Sequence, residues 1–217
     1  ILLENNKWTP IEAEIPTAII IDLDVIKNSP YNLTAAGAGD AISNIASILD
    51  WKLAAKKTKE SYDPLIADLA LISAKAVSEY AVEIRKQSYE GLDALAWALI
   101  WSGMSVNISR NPRVYSGSEH NLVHALDALG TKALHGEQAA LGTAITVFLH
   151  KGNWKNIMEL MNKLGLPTSA KSIGIPEETL IKALVQAKDI RDRYTILNEV
   201  KLDEKETKNI LKKMGII

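Results

Sequence analysis

Ser118-Glu119-His120-Asn121-Leu122-Val123-His124, followed by His135-Gly136-Glu137-Gln138, holds three of the four histidines of the chain within sixteen residues. His120 and His124 stand four apart. On a helix that spacing puts both imidazoles on one face, a turn from each other. His135 opens the next apolar-periodic segment and can meet that face across a short turn. Neutral imidazole is the commonest protein ligand for borderline divalent metals, so the stretch reads as half of a metal site. The plainer reading makes His120 and His124 ordinary surface or capping residues, and the third histidine close by weighs against it. A catalytic zinc-type site needs one more carboxylate or imidazole and keeps one position open for water or substrate.

The carboxylate candidate lies far upstream, in Thr34-Ala35-Ala36-Gly37-Ala38-Gly39-Asp40-Ala41-Ile42-Ser43-Asn44. Taken alone, Asp40 after a glycine reads as a helix N-cap. Gly37 and Gly39 also suggest a dinucleotide loop, but the third glycine that loop requires is Ile42, and the fingerprint fails.

Working outward, the apolar spacing predicts a strand over Ile19–Ile26 and helices over 40–56, 63–85, 89–108, 118–130, 135–150, 153–164 and 177–189. Asn111-Pro112, Gly130, Gly152-Asn153, Gly165-Leu166-Pro167 and Gly174-Ile175-Pro176 punctuate them. Pro176-Glu177-Glu178 sets proline and acids at a helix start. The charged tail Lys201–Lys213 reads as a solvated helix face. The fold class is mainly α, a helical domain with a short strand near the N-terminus.

With 217 residues and 47% apolar content, the chain can bury one sizeable core. No cysteine is present, which excludes disulfides, iron–sulfur clusters and thiolate zinc ligands and fits a cytoplasmic chain. A net charge of −1 gives no global field for nucleic acid or an anionic membrane. The apolar run Leu92–Val106, interrupted by Asp93, is too short to span a bilayer, and no signal-peptide pattern precedes it. A homo-oligomer is compatible with these features.

Several runs together carry a resemblance: Pro16-Thr17-Ala18-Ile19-Ile20-Ile21-Asp22-Leu23-Asp24-Val25-Ile26; Ala36-Gly37-Ala38-Gly39-Asp40 with Asp50-Trp51-Lys52-Leu53-Ala54; Gly117-Ser118-Glu119-His120 with His124; His135-Gly136-Glu137-Gln138; and Arg193-Tyr194-Thr195-Ile196-Leu197. In order across nearly the whole chain, they resemble the sn-glycerol-1-phosphate dehydrogenases, in the iron-dependent alcohol dehydrogenase and dehydroquinate synthase superfamily. The resemblance implies Asp40, His120 and His135 as ligands of Zn2+, or of another divalent metal. It implies His124 as a substrate-contacting residue and Asp40 as facing both metal and substrate. It further implies NAD(P)H as the hydride source and dihydroxyacetone phosphate, reduced to sn-glycerol 1-phosphate for membrane phospholipid synthesis, as the substrate.

The departures are as informative. Many iron-dependent relatives have a histidine four residues after the aspartate, where this chain has Asn44, a poor ligand for a borderline metal. Three protein ligands suit zinc with an open position. The segment between His120 and His135 is one residue shorter than the family pattern, a change that loops tolerate. Nothing before Pro16 encodes the nucleotide-binding domain of the family. Residues 1–30 are therefore expected to be the end of that domain and residues 31–217 the helical metal- and substrate-binding domain, which alone is expected to be inactive.

For the phosphate, Arg110, Arg113, Ser116 and Ser118 form a loop that leads to the histidine helix and could offer a charged fork, hydroxyls and helix-start amides. Arg191 and Arg193 are second candidates. Trp51, Trp97 and Trp101 read as core or interface anchors. His150 reads as a cation at a helix C-terminus. Two rivals stand beside this reading. One is a sibling enzyme, a glycerol dehydrogenase or a dehydroquinate-synthase-like cyclase, against which the Arg193-Tyr194-Thr195-Ile196-Leu197 run argues. The other is a non-catalytic helical domain that binds metal or a partner chain.

Overall fold

The computed structural model describes residues 2–4, 7–9 and 16–217. Two strands, β1 (Leu2–Glu4) and β2 (Lys7–Thr9), pair antiparallel with Leu2 opposite Thr9. Of the segment 1–30, residues 1, 5, 6 and 10–15 lie outside the described residues. The expected strand over Ile19–Ile26 does not form. Residues 18–22 take no regular structure and Leu23–Lys27 is the short helix α1. The reason is local: the Asp22 carboxylate accepts from the Asp24 and Val25 amides at 2.9 and 3.1 Å and caps a helix there. An isolated strand in the same place would leave its backbone groups without a ladder partner.

The rest is helical: α2 (Tyr31–Thr58), α3 (Pro64–Glu79), α4 (Ala81–Arg85), α5 (Tyr89–Ser109), α6 (Ser118–Ala128), α7 (His135–Leu149), α8 (Trp154–Lys163), α9 (Glu177–Gln186) and α10 (Glu204–Met214), with short 3-10 turns between some of them. The stops behave as their chemistry requires. Gly130, Gly165 and Gly174 adopt φ of +81°, +62° and +70°, the left-handed region that ends a helix. Asp63 caps α3 ahead of Pro64, and Asp203 caps α10. Helix α10, from the tail that sequence alone makes a solvated face, buries Thr207, Leu211 and Met214 and turns its lysines outward.

One long helix organises the domain. Helix α2 runs through 28 residues and packs against α3 on one side and α7 on the other. It starts at Tyr31, immediately after Pro30, which fixes the entering backbone. Asp40 therefore lies inside α2 and is not an N-cap, which corrects the sequence expectation. Gly37 and Gly39 do not break this helix. A Cβ on Gly39 would come within 2.3 Å of the Gly136 carbonyl oxygen, and one on Gly136 within 1.7 Å of the Ala36 carbonyl oxygen. At this crossing α2 and α7 touch backbone to backbone, and Ala35, Ala38, Ala140 and Ala144 continue the contact. Larger side chains of α6, α8, α9 and α10 complete the core, among them Leu122, Leu126, Met161, Leu180 and Leu211.

A smaller cluster of Ile48, Trp51, Ala67, Ala70 and Val114 ties α2 to α3. Trp51 belongs to it, its indole N–H donating to the Ser61 carbonyl at 2.7 Å. Trp97 does not enter the core: half of it is exposed, 6.3 Å from the Trp101 ring. No helix among the described residues is long and apolar enough to cross a membrane.

Candidate metal centre

The α2–α7 crossing explains how residues far apart in sequence meet. Gly39 and Gly136 bring the two backbones together, and the neighbours of those glycines, Asp40 and His135, are drawn to the same edge of the crossing. Helix α6 is held against α7 in the same way, since a Cβ on Gly142 would lie 3.0 Å from the Glu119 carbonyl oxygen. That contact sets His120 beside the other two. Asp40 Oδ1 is 3.5 Å from both His120 Nε2 and His135 Nε2, and the two imidazole nitrogens are 3.1 Å apart. Four ligands about 2.1 Å from a tetrahedral zinc stand roughly 3.4 Å from one another. The three donors therefore fit one side of such an ion, with a fourth position toward solvent. His120 is buried at the bottom, while Asp40 and His135 are half exposed.

The residues beside the three donors fix their orientation. His120 Nδ1 lies 2.8 Å from Glu119 Oε1, which fixes the ring and turns Nε2 toward Asp40. Glu119 Oε1 also accepts the Gly117 amide at 2.7 Å. In His135-Gly136-Glu137-Gln138 each residue has its own task. His135 offers the donor, Gly136 permits the crossing, Glu137 accepts the Leu134 amide at the start of α7, and Gln138 donates to the Ala133 carbonyl at 3.0 Å. Asn44, one turn beyond Asp40, points elsewhere: its amide donates to the Ala70 carbonyl and to Ser73. The Asn44 carboxamide is thus used to tie α2 to α3.

Without a metal the triad is strongly polarised. Burial pushes the His120 imidazole toward neutrality, but hydrogen bonds and charge from Asp40 and Glu119 prevail and raise it to about 9. For Asp40, burial works against ionisation, and hydrogen bonds to His120 and His135 with their positive charge hold the carboxyl well below the usual carboxylate range.

His124 lies one turn along α6 and behaves oppositely. Burial and the positive charges of Arg191, His120, His135 and Arg193 depress it to about 3. Its Nε2 meets Arg191 Nη2 in a short hydrogen bond, so Nε2 accepts and Nδ1 carries the hydrogen. The second Arg191 nitrogen, Nη1, donates to Ser116 Oγ at 3.0 Å, and Arg193 Nη1 donates to the Ser116 carbonyl at 2.5 Å. Neither arginine forms an ion pair with a carboxylate among the described residues. Burial lowers both guanidinium pKa values, and for Arg193 the charges of Arg191 and Arg113 add to it. Arg113, Arg191 and Arg193 line an open cleft of about 380 Å³ with Lys188 and Tyr194. A larger cleft of about 870 Å³, between α7, α8 and α10, contains none of these side chains.

The first-choice phosphate residues are arranged differently from expectation. Arg113 is buried and bonded bidentately to Glu60 at 2.8 and 2.6 Å, its third nitrogen donating to the Tyr194 carbonyl. Arg110 is exposed at the C-terminus of α5 with φ +48°. Ser118 is buried against Thr146, and the Ser118 and Gly117 amides are taken by Asp50 and Glu119. The helix start is thereby closed to an external anion by the carboxylates of the chain itself. Of that set only Ser116 meets the second pair, Arg191 and Arg193. His150, expected at a helix C-terminus, caps α7 and also bonds Asp50 Oδ1 at 2.9 Å. Glu119 and Asp50 are the residues hardest to find from sequence; an acid directly before His120 is the signal for Glu119.

No family model matches the chain. It is 43% identical to a glycerol-1-phosphate dehydrogenase (NAD(P)+) of Hyperthermus butylicus over 98% of its own length and 61% of that protein. It is 45% identical to the enzyme of that name from Sulfurisphaera tokodaii, over 98% and 61%, and 44% identical to that of Pyrococcus horikoshii, over 98% and 62%. The chain thus spans about three-fifths of the length of these relatives. Among solved structures, a probable glycerol dehydrogenase from Sinorhizobium meliloti superposes with TM-score 0.70 at 16% identity, covering 92% of this chain and 59% of that one. A maleylacetate reductase from Rhizobium gives 0.65 at 12% identity, covering 89% and 55%. These likenesses show that the helical fold is shared with part of each of those enzymes. Asp40, His120 and His135 thus converge on one point in a chain that is similar, over nearly its whole length, to glycerol-1-phosphate dehydrogenases.

Proposed function

We propose that the chain is the metal- and substrate-binding part of an NAD(P)-dependent glycerol-1-phosphate dehydrogenase, which reduces dihydroxyacetone phosphate to sn-glycerol 1-phosphate for phospholipid synthesis. The convergence of Asp40, His120 and His135 at ligand spacing carries this reading. Zinc held there would supply a Lewis acid for the substrate carbonyl, and a nicotinamide cofactor would supply the hydride. Residues 31–217 form this part in our reading, and residues 1–30 belong to the end of a nucleotide-binding domain.

The residues of the chain account for the remaining tasks. Glu119 orients His120, and Asp40 faces both metal and substrate. His124 stays neutral at physiological pH, with Nδ1–H as a hydrogen-bond donor to a substrate hydroxyl or to the oxygen that gains charge. Arg191 and Arg193 bind the phosphate, with Ser116 between them. Two half-buried guanidinium groups without carboxylate partners among the described residues repel each other until a dianion joins them. This feature favours a phosphorylated substrate over the plain polyol of a glycerol dehydrogenase.

The test is a chimera in which this chain replaces the matching part of the Pyrococcus horikoshii relative. It should oxidise NAD(P)H with dihydroxyacetone phosphate, lose activity on chelation and regain it with zinc, and make the sn-1 product. Equal turnover of unphosphorylated dihydroxyacetone would overturn the substrate assignment. The 217-residue chain alone should bind zinc and leave NAD(P)H unoxidised.

A further inference from the structure

Asp50 is a fully buried carboxylate, ten residues beyond Asp40 on α2 and about 15 Å along the helix. It touches none of the candidate ligands. Its two oxygens nevertheless join three other segments. Oδ2 accepts the Ser118 amide at 2.7 Å, at the start of α6 and two residues before His120. Oδ1 accepts His150 Nε2 at 2.9 Å, at the end of the helix that His135 begins, and the Ile196 amide at 2.8 Å, just beyond Arg191 and Arg193. Every segment that brings a residue to the site is therefore fastened to this one side chain. The approach is close. A Cβ on Gly117 would lie 2.7 Å from Asp50 Oδ2, so only glycine lets the carboxylate reach the Ser118 amide.

We propose that Asp50 is a positioning residue that sets the histidine helix α6 and the arginine-bearing segment 191–196 at a fixed separation, one carrying the proposed metal ligand His120 and the other the proposed phosphate ligands. The proposal rests on the metal and phosphate reading given above, but its structural half stands alone. Three donors converge on Asp50, and a carboxylate has the lone pairs to receive all of them. An asparagine does not. With its oxygen toward His150 and Ile196 its amide faces the Ser118 N–H, and with the amide flipped the Ile196 N–H loses its acceptor. Asp50→Asn therefore releases one wall or the other while filling the same volume.

The experiment compares the wild-type chain with Asp50→Asn, His150→Gln, His150→Ala and Met161→Ala. Met161 is fully buried in α8, which carries no site residue, so its truncation destabilises the fold without touching the site. Zn2+ affinity is measured by calorimetry, and amide hydrogen exchange is read on the metal-free chains. Asp50→Asn should weaken zinc binding about tenfold, as changes behind a metal ligand typically do. It should also speed exchange at Ser118 or Ile196 more than elsewhere. His150→Gln, which keeps an N–H for Asp50, should stay within about threefold of wild type, and His150→Ala should fall between. Met161→Ala should lower the melting temperature and leave zinc affinity unchanged. Loss of affinity in proportion to melting temperature across all variants would reduce Asp50 to a general stabiliser, and unchanged exchange at both amides would overturn the proposal. If the wild-type chain binds no zinc, the metal reading fails, and the exchange data still decide the role of Asp50.

Discussion

His120 is a buried imidazole between two carboxylates, and its proton occupies the place a metal would take. Its pKa is about 6.5 in the unfolded chain and about 9 in the folded one. Its contribution to the stability of the metal-free chain is thus complete below pH 6.5 and disappears as the pH rises through 9. Asp40 has the opposite sign: its folded pKa is depressed, so its contribution is present above the unfolded value of 3.8 and is lost as the pH falls through the folded value. Zinc must displace the His120 proton. Its apparent affinity should therefore rise about tenfold per pH unit up to about pH 9 and then level off. Calorimetry in buffers of different ionisation enthalpy should detect the released proton. A pH-independent affinity with no proton release would contradict this account, and His120→Ala should abolish zinc binding. At the second wall, Arg191→Ala should cost roughly 2 kcal/mol, about thirtyfold, in the affinity of the chimera for dihydroxyacetone phosphate, with zinc binding retained. Arg191→Lys should recover only part, because a single ammonium cannot reach both His124 and Ser116. Equal affinity in all three proteins would remove Arg191 from the site.

At the scale of elements, the α2–α7 crossing decides whether there is a site at all. Gly136→Ala places a methyl group inside the van der Waals radius of the Ala36 carbonyl oxygen, and backbone on backbone has no rotamer with which to escape. The two helices must separate, at a cost of roughly 1–3 kcal/mol or more. His135 moves with α7, so zinc binding should fall with stability in this variant. A Gly136→Ala chain with wild-type melting temperature and zinc affinity would show that the crossing is not as tight as the structure has it. The same crossing shows what sequence reading could and could not reach. Helices 89–108 and 135–150 were legible because their apolar spacing repeats and strong breakers end them, whereas the single helix expected over 63–85 is two, α3 and α4, parted at Tyr80 where no glycine or proline marks the stop. The first turns of α2 were not, because Thr34-Ala35-Ala36-Gly37-Ala38-Gly39 has little periodicity and its glycines imitate a loop; their purpose, close packing on Gly136, depends on a helix a hundred residues away. Arg113 was misread for the same reason, since its partner Glu60 lies in another segment. The strand expected over Ile19–Ile26 was an apolar run to which the structure gives no ladder partner.

For the molecule as a whole, the metal should act as a staple across α2, α6 and α7. A ligand that binds only the folded chain stabilises it by about 2.7 kcal/mol at a hundredfold excess over its dissociation constant. For a domain of this size that is a rise of roughly 5–11 °C in melting temperature. Differential scanning calorimetry should show the rise with zinc and its reversal with chelator, and Asp40→Asn should diminish it. No shift in the wild type would mean that the three donors hold no ion in solution. Helix α2 carries a further consequence, because Asp40 and Asp50 are read from one uninterrupted spiral. Inserting or deleting a single residue between them would rotate one carboxylate about 100° relative to the other and slide it 1.5 Å along the axis. No neighbour could absorb that change, as a loop would. Substitutions can accumulate between these two positions over evolutionary time, but the interval itself should be fixed at ten, so that length variation among descendants of this chain is confined to the connections and α2 serves as its unit of measure.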